Sequence, residues 1–201
     1  MLKVGLTGSI AVGKSFILSV FAELGCQTLD ADRTAREVVA PGTPGLERIV
    51  AHFGPGILLD DMTLDRGKLG SIVFSNESER LVLNSIVHPL VMKEQDEWLN
   101  GVAAKFPDAI AVIDAALMIE SGGYKRMDKL VVAWCEPEVL LARLMSRDHL
   151  SSEDARRRIG SQMSQEEKKA HADFLIDTSN DRSDTRDQTV EVFRSLREIG
   201  I

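Results

Sequence analysis

The chain has 201 residues, 44% of them hydrophobic and 27% charged, with a formal net charge of −7. That balance argues against a protein that coats nucleic acid or lies on an acidic membrane surface, while leaving room for a locally basic site for an anionic substrate. Two cysteines, Cys26 and Cys135, cannot assemble a disulfide framework or a zinc ligand set and read as buried thiols. A chain of this length supports one core with insertions. It opens without a basic and apolar leader, and no apolar run approaches the roughly 20 residues of a membrane span, so a cytoplasmic protein is expected.

In chain order, Leu2 to Leu6 is a short apolar run suited to a buried strand. It leads into Gly8-x-x-x-x-Gly13-Lys14-Ser15, a full match to the phosphate-binding loop pattern. Phe16 to Phe21 continues as an apolar-rich helix, so the motif has the strand, loop and helix it needs. Glycines let the backbone turn successive N–H groups inward around an anion, and the start of the helix adds about half an elementary charge. Lys14 is thereby placed to bridge the β- and γ-phosphates, and the Ser15 hydroxyl to ligate Mg²⁺.

Gly25 to Asp30 reads as a second strand running into Asp30-Ala31-Asp32, at what would be the ligand-facing edge of a parallel sheet. Asp32 has two compatible readings: the N-cap of a helix over Arg33 to Val39, and a general base near the phosphate loop. Pro41-Gly42 breaks that helix, and Thr43 and Pro44 open another in N-cap and N1 positions. Its apolar positions are Leu46, Ile49, Val50 and Phe53, and Gly54 stops it. Residues 55 to 68 read as loop before a short helix. A long helical region from Glu77 is expected to be interrupted at His88-Pro89, because proline disfavours helical geometry in the preceding residue. A lone histidine at such a junction reads first as a structural hydrogen-bonder.

Ala109 to Asp114 is an apolar run closed by a carboxylate, the form of a Walker B strand whose Asp114 helps hold Mg²⁺. Leu130 to Trp134 and Phe174 to Asp177 read as further strands, with a closing helix over Val190, Phe193 and Leu196. Strands alternating with helices imply a parallel, doubly wound sheet. Between the last two strands, Arg143 and Arg147 share one helical face, and Ser151-x-x-Asp154 starts another helix with a capping box. A mobile helical hairpin carrying arginines at this place has the form of a lid over transferring phosphates.

With these landmarks, the chain resembles the dephospho-CoA kinase family from about Val4 to Asp177. The resemblance is carried by GLTGSIAVGKS, by DADRTAREVV with Asp30, Asp32 and Arg36, by PGTPGLERIVAHFG, by LDRGKLGSIVF with Arg66, by the pair His88-Pro89 and by Ala172-Asp173 ahead of Ile176-Asp177. It departs from the family pattern at Ser9, Ala11, Val12 and Phe16 in the loop, at Ala116, and at Leu140, Lys168 and Thr178, which bear on the adenine pocket and the lid. The loop is expected to avoid glycine-only backbone angles at Ser9, Ala11 and Val12.

The resemblance implies a P-loop α/β fold of the nucleoside-monophosphate-kinase kind. Its nucleotide-binding core would comprise residues 1–31, 107–140 and 171–201, with a helical substrate domain at 32–106 and a lid at 141–170. It implies transfer of the ATP γ-phosphoryl group to the ribose 3′-hydroxyl of dephospho-CoA, with Mg²⁺ accompanying ATP. Gly8, Ala11, Val12, Gly13, Lys14, Ser15, Phe16, Arg143 and Arg147 would bind ATP, and Asp32, Arg36, Arg66 and His88 the acceptor. Lys14, Asp32 and Arg143 would be catalytic, with Ser15 and Asp114 at the metal. Another small-metabolite or nucleotide kinase on the same fold is the alternative. A GTP-hydrolysing switch is disfavoured, because the chain lacks the guanine-reading Asn/Thr-Lys-x-Asp motif and follows Asp114 with Ala-Ala-Leu.

Overall fold

The apolar runs build a five-stranded, wholly parallel sheet in the computed structural model, which describes residues 1–200. The elements are β1 (Leu2–Gly8), α1 (Lys14–Glu23), β2 (Gln27–Asp30), α2 (Ala31–Glu37), α3 (Pro44–Phe53), α4 (Arg66–Ser75) and α5 (Glu77–Lys105). They continue as β3 (Ile110–Asp114), β4 (Lys129–Trp134), α6 (Pro137–Asp148), α7 (Ser152–Gly160), α8 (Gln165–Lys169), β5 (Phe174–Asp177) and α9 (Arg182–Ile199). The strand order is β2-β3-β1-β4-β5. β1 is therefore central, and its carboxyl end is where connections leave to opposite sides of the sheet, the place where open α/β sheets bind ligands.

Two compact units divide the chain: Met1–Asp30 together with the chain from Gly101 onward, and Ala31–Asn100. The first is built on the sheet. β3 is buried along its whole length, and Val4, Leu6, Ile17, Phe21, Val112, Val131 and Ile176 form one cluster with no or almost no exposure. Each such side chain contributes about 1.5–3 kcal/mol on leaving water. α9 turns Thr185, Thr189, Val192 and Leu196 inward; Leu196 enters the core as expected and Phe193 packs against its edge, with Val192 added beside them. The two threonines can be buried because their hydroxyls donate within the helix, Thr189 to the Thr185 carbonyl and Thr185 to that of Asp181. Cys26 and Cys135 are both buried thiols, and burial pushes Cys26 up to about 12.

The second unit has its own core of Val39, Leu46, Ile49, Ile57, Leu64 and Leu69, against which Leu83, Ile86 and Val87 of α5 pack. α3 starts as its sequence requires: the Thr43 hydroxyl accepts from Leu46 N at 3.2 Å with Pro44 behind it, and Gly54 ends the helix at φ 82°. Three helix boundaries differ from the sequence expectation. α4 begins at Arg66, inside the stretch expected to be loop, because the Asp65 side chain caps it by accepting from Lys68 N. α2 begins at Ala31, so Asp32 is an exposed first-turn residue and not the N-cap. α5 runs unbroken for 29 residues through Pro89. The proline removes one N–H and crowds the preceding turn, but it cannot outweigh the helical turns on either side of it. His88 is thus an exposed mid-helix residue rather than a junction.

Candidate active site

Beyond β1 the chain folds as a cradle. Gly8 sits at φ 152°, where an added Cβ would lie 2.4 Å from the Ala133 carbonyl, so no other residue fits. Gly13 is left-handed at φ 98° and caps α1 with no side chain, leaving the first-turn N–H groups of that helix to face an anion. Ala11 takes φ 61°, a left-handed turn that is not closed to a residue with a Cβ but that glycine adopts more cheaply.

Asp114 ends β3 beside Leu6 on one strand and Asp30 on the other, placing its carboxylate at the same edge as the loop. It is buried, and its Oδ1 lies 4.0 Å from the Lys14 ammonium, an ion pair too long to be a hydrogen bond. Ser15 follows Lys14 on the exposed first turn of α1. A hydroxyl and a carboxylate are the hard oxygen donors that Mg²⁺ selects. Among the described residues there is no cluster of three or more His, Cys, Asp or Glu that would favour a protein-caged metal instead. The donor set fits an ion that keeps most of its shell as water and phosphate oxygen.

A cavity of about 610 Å³ opens over the loop, lined by Ala11, Val12, Gly13, Lys14 and Ser15 on one side and by Ala142, Arg143, Ser146 and Arg147 of α6 on the other. The shared face of Arg143 and Arg147 is what α6 presents to it. The two guanidiniums are held differently. Arg143 Nη2 donates to the Thr178 carbonyl at 2.7 Å and Nη1 to the Thr178 hydroxyl at 3.2 Å. Arg147 donates twice to Asp148, at 2.8 and 3.1 Å, and Asp148 also accepts from Arg158 of α7. These arginines, the Arg147 hydrogen bonds foremost, hold the Asp148 carboxyl below its usual range. Phe16 and Gly8 do not line the cavity; the Phe16 ring instead lies 5.4 Å from the Arg182 guanidinium.

Several functional-looking contacts come from residues that sequence reasoning passed over. Thr178, read only as a departure from the family, donates its hydroxyl to the Val12 carbonyl at 2.6 Å. Gln162 Oε1 accepts from Ile10 N at 2.9 Å. Gln165 brackets the Cys135 backbone, accepting from its N–H at 3.0 Å and donating to its carbonyl at 2.8 Å. Lys168 is fully buried, with Nζ 2.8 Å from both the Ala116 carbonyl and Glu120 Oε1. Burial pushes its ammonium below the usual lysine range, opposed by Glu120. Leu140 belongs to the hydrophobic core and does not line the cavity over the loop, but it lines a second one of about 420 Å³ with Ser9, Leu141 and Arg156. No local signal marks Lys168 as buried, because the run Gln165 to Lys169 reads as a solvated helix.

In the second unit, α2 carries Asp32 and, four residues on, Arg36, both exposed. Arg66, at the start of α4, donates to the Arg36 carbonyl at 3.4 Å. Burial, and then the neighbouring Arg36 charge, lower the Arg66 pKa. Two guanidiniums brought together in this way make a site that favours an anion. His88 is exposed on α5.

The family model for dephospho-CoA kinase matches residues 2–184 of the chain. The dephospho-CoA kinase of Halalkalibacterium halodurans is 42% identical over 196 residues, covering 98% of this chain and 97% of the relative. That of Leifsonia xyli is 43% identical over 194 residues, covering 96% and 98%. The solved structure of dephospho-CoA kinase from Campylobacter jejuni superposes with a TM-score of 0.73 at 30% identity, over 99% of this chain and 98% of that one. Phosphate loop, buried strand-end carboxylate and arginine-bearing helix thus stand in a chain matched along nearly its whole length, and the chain belongs to the dephospho-CoA kinase family.

Proposed function

We propose that the chain transfers the γ-phosphoryl group of ATP to the ribose 3′-hydroxyl of dephospho-CoA, giving CoA and ADP. The observation that carries this reading is the cavity in which Lys14 and the first turn of α1 face Arg143 and Arg147 with Asp114 beneath. Phosphoryl transfer needs little covalent help and much positive charge and positioning. The N–H groups of the loop and Lys14 hold the β- and γ-phosphates, and Arg143, with Arg147 once released from Asp148, neutralises the charge that spreads over the transferring group. Ser15 and Asp114 would hold the Mg²⁺ that accompanies ATP, and when bound it neutralises phosphate charge.

Asp32 accepts the proton of the 3′-hydroxyl as its oxygen bonds to the γ-phosphorus and the bond to the bridging oxygen of ADP breaks. Its exposed carboxylate at the start of α2 supports that role. The Arg36 and Arg66 pair, and by family resemblance His88, serve the anionic acceptor in the segment 32–106, while 141–170 acts as the lid. No helix among the described residues is long and apolar enough to cross a membrane, and the acidic net charge suits small-molecule substrates in the cytoplasm better than nucleic acid. A coupled ADP-release assay tests the reading. ADP should appear with ATP plus dephospho-CoA and not with shikimate or nucleoside monophosphates; equal turnover on those acceptors would overturn it.

A further inference from the structure

Gln162 stands at the junction of α7 and α8, outside every motif that identifies the chain, yet it touches the phosphate loop. Its Oε1 accepts from the Ile10 backbone N–H at 2.9 Å and faces the buried Ser9 hydroxyl at 3.4 Å. Ile10 lies between the two glycines of the loop and directly before Ala11 with its left-handed φ of 61°. From this geometry we infer that Gln162 is a positioning residue for phosphoryl transfer, whose carbonyl holds the phosphate loop in its anion-receiving shape.

Three observations support a fixed partner rather than a chance contact. Downstream of Gln162 the chain is fastened to the core by Gln165 on both backbone groups of Cys135. It is fastened again by the fully buried Lys168 on the Ala116 carbonyl and Glu120, and by Met163 N on Glu120 Oε1 at 3.2 Å. On the far side of the loop, the Thr178 hydroxyl holds the Val12 carbonyl at 2.6 Å. The loop is therefore gripped at both shoulders, at Ile10 by Gln162 and at Val12 by Thr178, while Gly13 and the first residues of α1, Lys14 and Ser15, face the cavity. A strained turn persists only where its surroundings over-determine it, and a preorganised cradle binds phosphate without reordering first.

This inference rests on the kinase reading, so its test uses nucleotide binding without acceptor, which stands whether or not dephospho-CoA is the acceptor. Gln162→Met keeps the volume and removes the acceptor. Gln162→Asn stays polar but shortens the side chain beyond hydrogen-bond reach, and so serves if the methionine variant folds poorly. By calorimetry of the full chain, each variant should bind ATP and inorganic tripolyphosphate roughly three- to tenfold more weakly, the worth of one neutral hydrogen bond, while binding adenosine as the wild type does. A merely structural role would lower the melting temperature and leave the ratio of tripolyphosphate to adenosine affinity unchanged. Wild-type tripolyphosphate affinity in either folded variant, or an equal loss for adenosine, overturns the assignment.

Discussion

Arg143 and Thr178 are joined twice, guanidinium to carbonyl at 2.7 Å and guanidinium to hydroxyl at 3.2 Å, and that same hydroxyl donates to Val12 in the phosphate loop. One threonine thus sets both the arginine and the loop. Thr178→Val keeps the shape and removes the hydroxyl, so the Val12 carbonyl and one arm of Arg143 lose their partner. Stability should fall by about 1–3 kcal/mol, read by urea denaturation, and KM for ATP should rise by a larger factor than kcat falls.

Lys14→Ala should reduce ADP release by at least about 10²-fold, the typical cost of losing one preorganised donor to developing charge. The melting temperature should move by no more than a few degrees, because the 4.0 Å contact with Asp114 is not a hydrogen bond. Near wild-type turnover in the purified variant would remove Lys14 from the chemistry.

Asp32→Asn separates proton acceptance from helix chemistry. Asp32 stands inside the first turn of α2 and is exposed, so the substitution should cost only the loss of a charge near the helix start, about 0.3–1 kcal/mol. A base would lose about 10²- to 10⁴-fold in kcat, because the amide cannot take the proton. If kcat is retained, the base must be sought elsewhere, with Asp30 and Asp114, paired in register at the strand ends, as the next positions to substitute.

Ala11→Gly should raise stability in the absence of nucleotide by roughly 1 kcal/mol, since the left-handed conformation at φ 61° costs a residue with a Cβ more than it costs glycine. Glycine also gains freedom in the unfolded chain, which offsets part of that gain. A lower urea midpoint for the variant would mean that the turn is not strained.

The tethers on Gln162, Gln165 and Lys168 narrow the part of the arginine hairpin that can move. Hydrogen exchange with ATP and a non-reactive acceptor analogue should change most over residues 149 to 161, with amides 162 to 169 already protected in the free protein. Equal change across 141 to 170 would show that the tethers release on closure.

The strands and the phosphate loop were legible because their signals are local. An apolar run such as Ile110 to Asp114 has to be buried on both faces, and Gly8 to Ser15 carries its chemistry in consecutive residues. Helix boundaries were less so. Whether α2 starts at Ala31 or Arg33 depends on where β2 stops pairing with β3, and whether Pro89 breaks α5 depends on the length of helix on each side. Thr178, Gln162 and Lys168 were the hardest, since each acts on a residue far away in the chain, Val12, Ile10 and Ala116 respectively. A side chain whose partner is remote carries no periodicity to read.

The central position of β1 also fixes an order of events during synthesis. Leu2 pairs with Ile110, and Gly8 with Ala133, so β1, once it leaves the ribosome, finds its neighbours only after about a hundred further residues have followed. At about 5–20 residues per second that is a wait of roughly 5–25 s, during which the contiguous stretch Ala31–Asn100 emerges whole and can condense around Ile49 and Ile57. The nascent chain is thus expected to acquire its inserted unit before its nucleotide cradle. A polypeptide stalled before residue 110 would expose an unpaired Val-Gly-Leu-Thr edge, a natural target for chaperone capture.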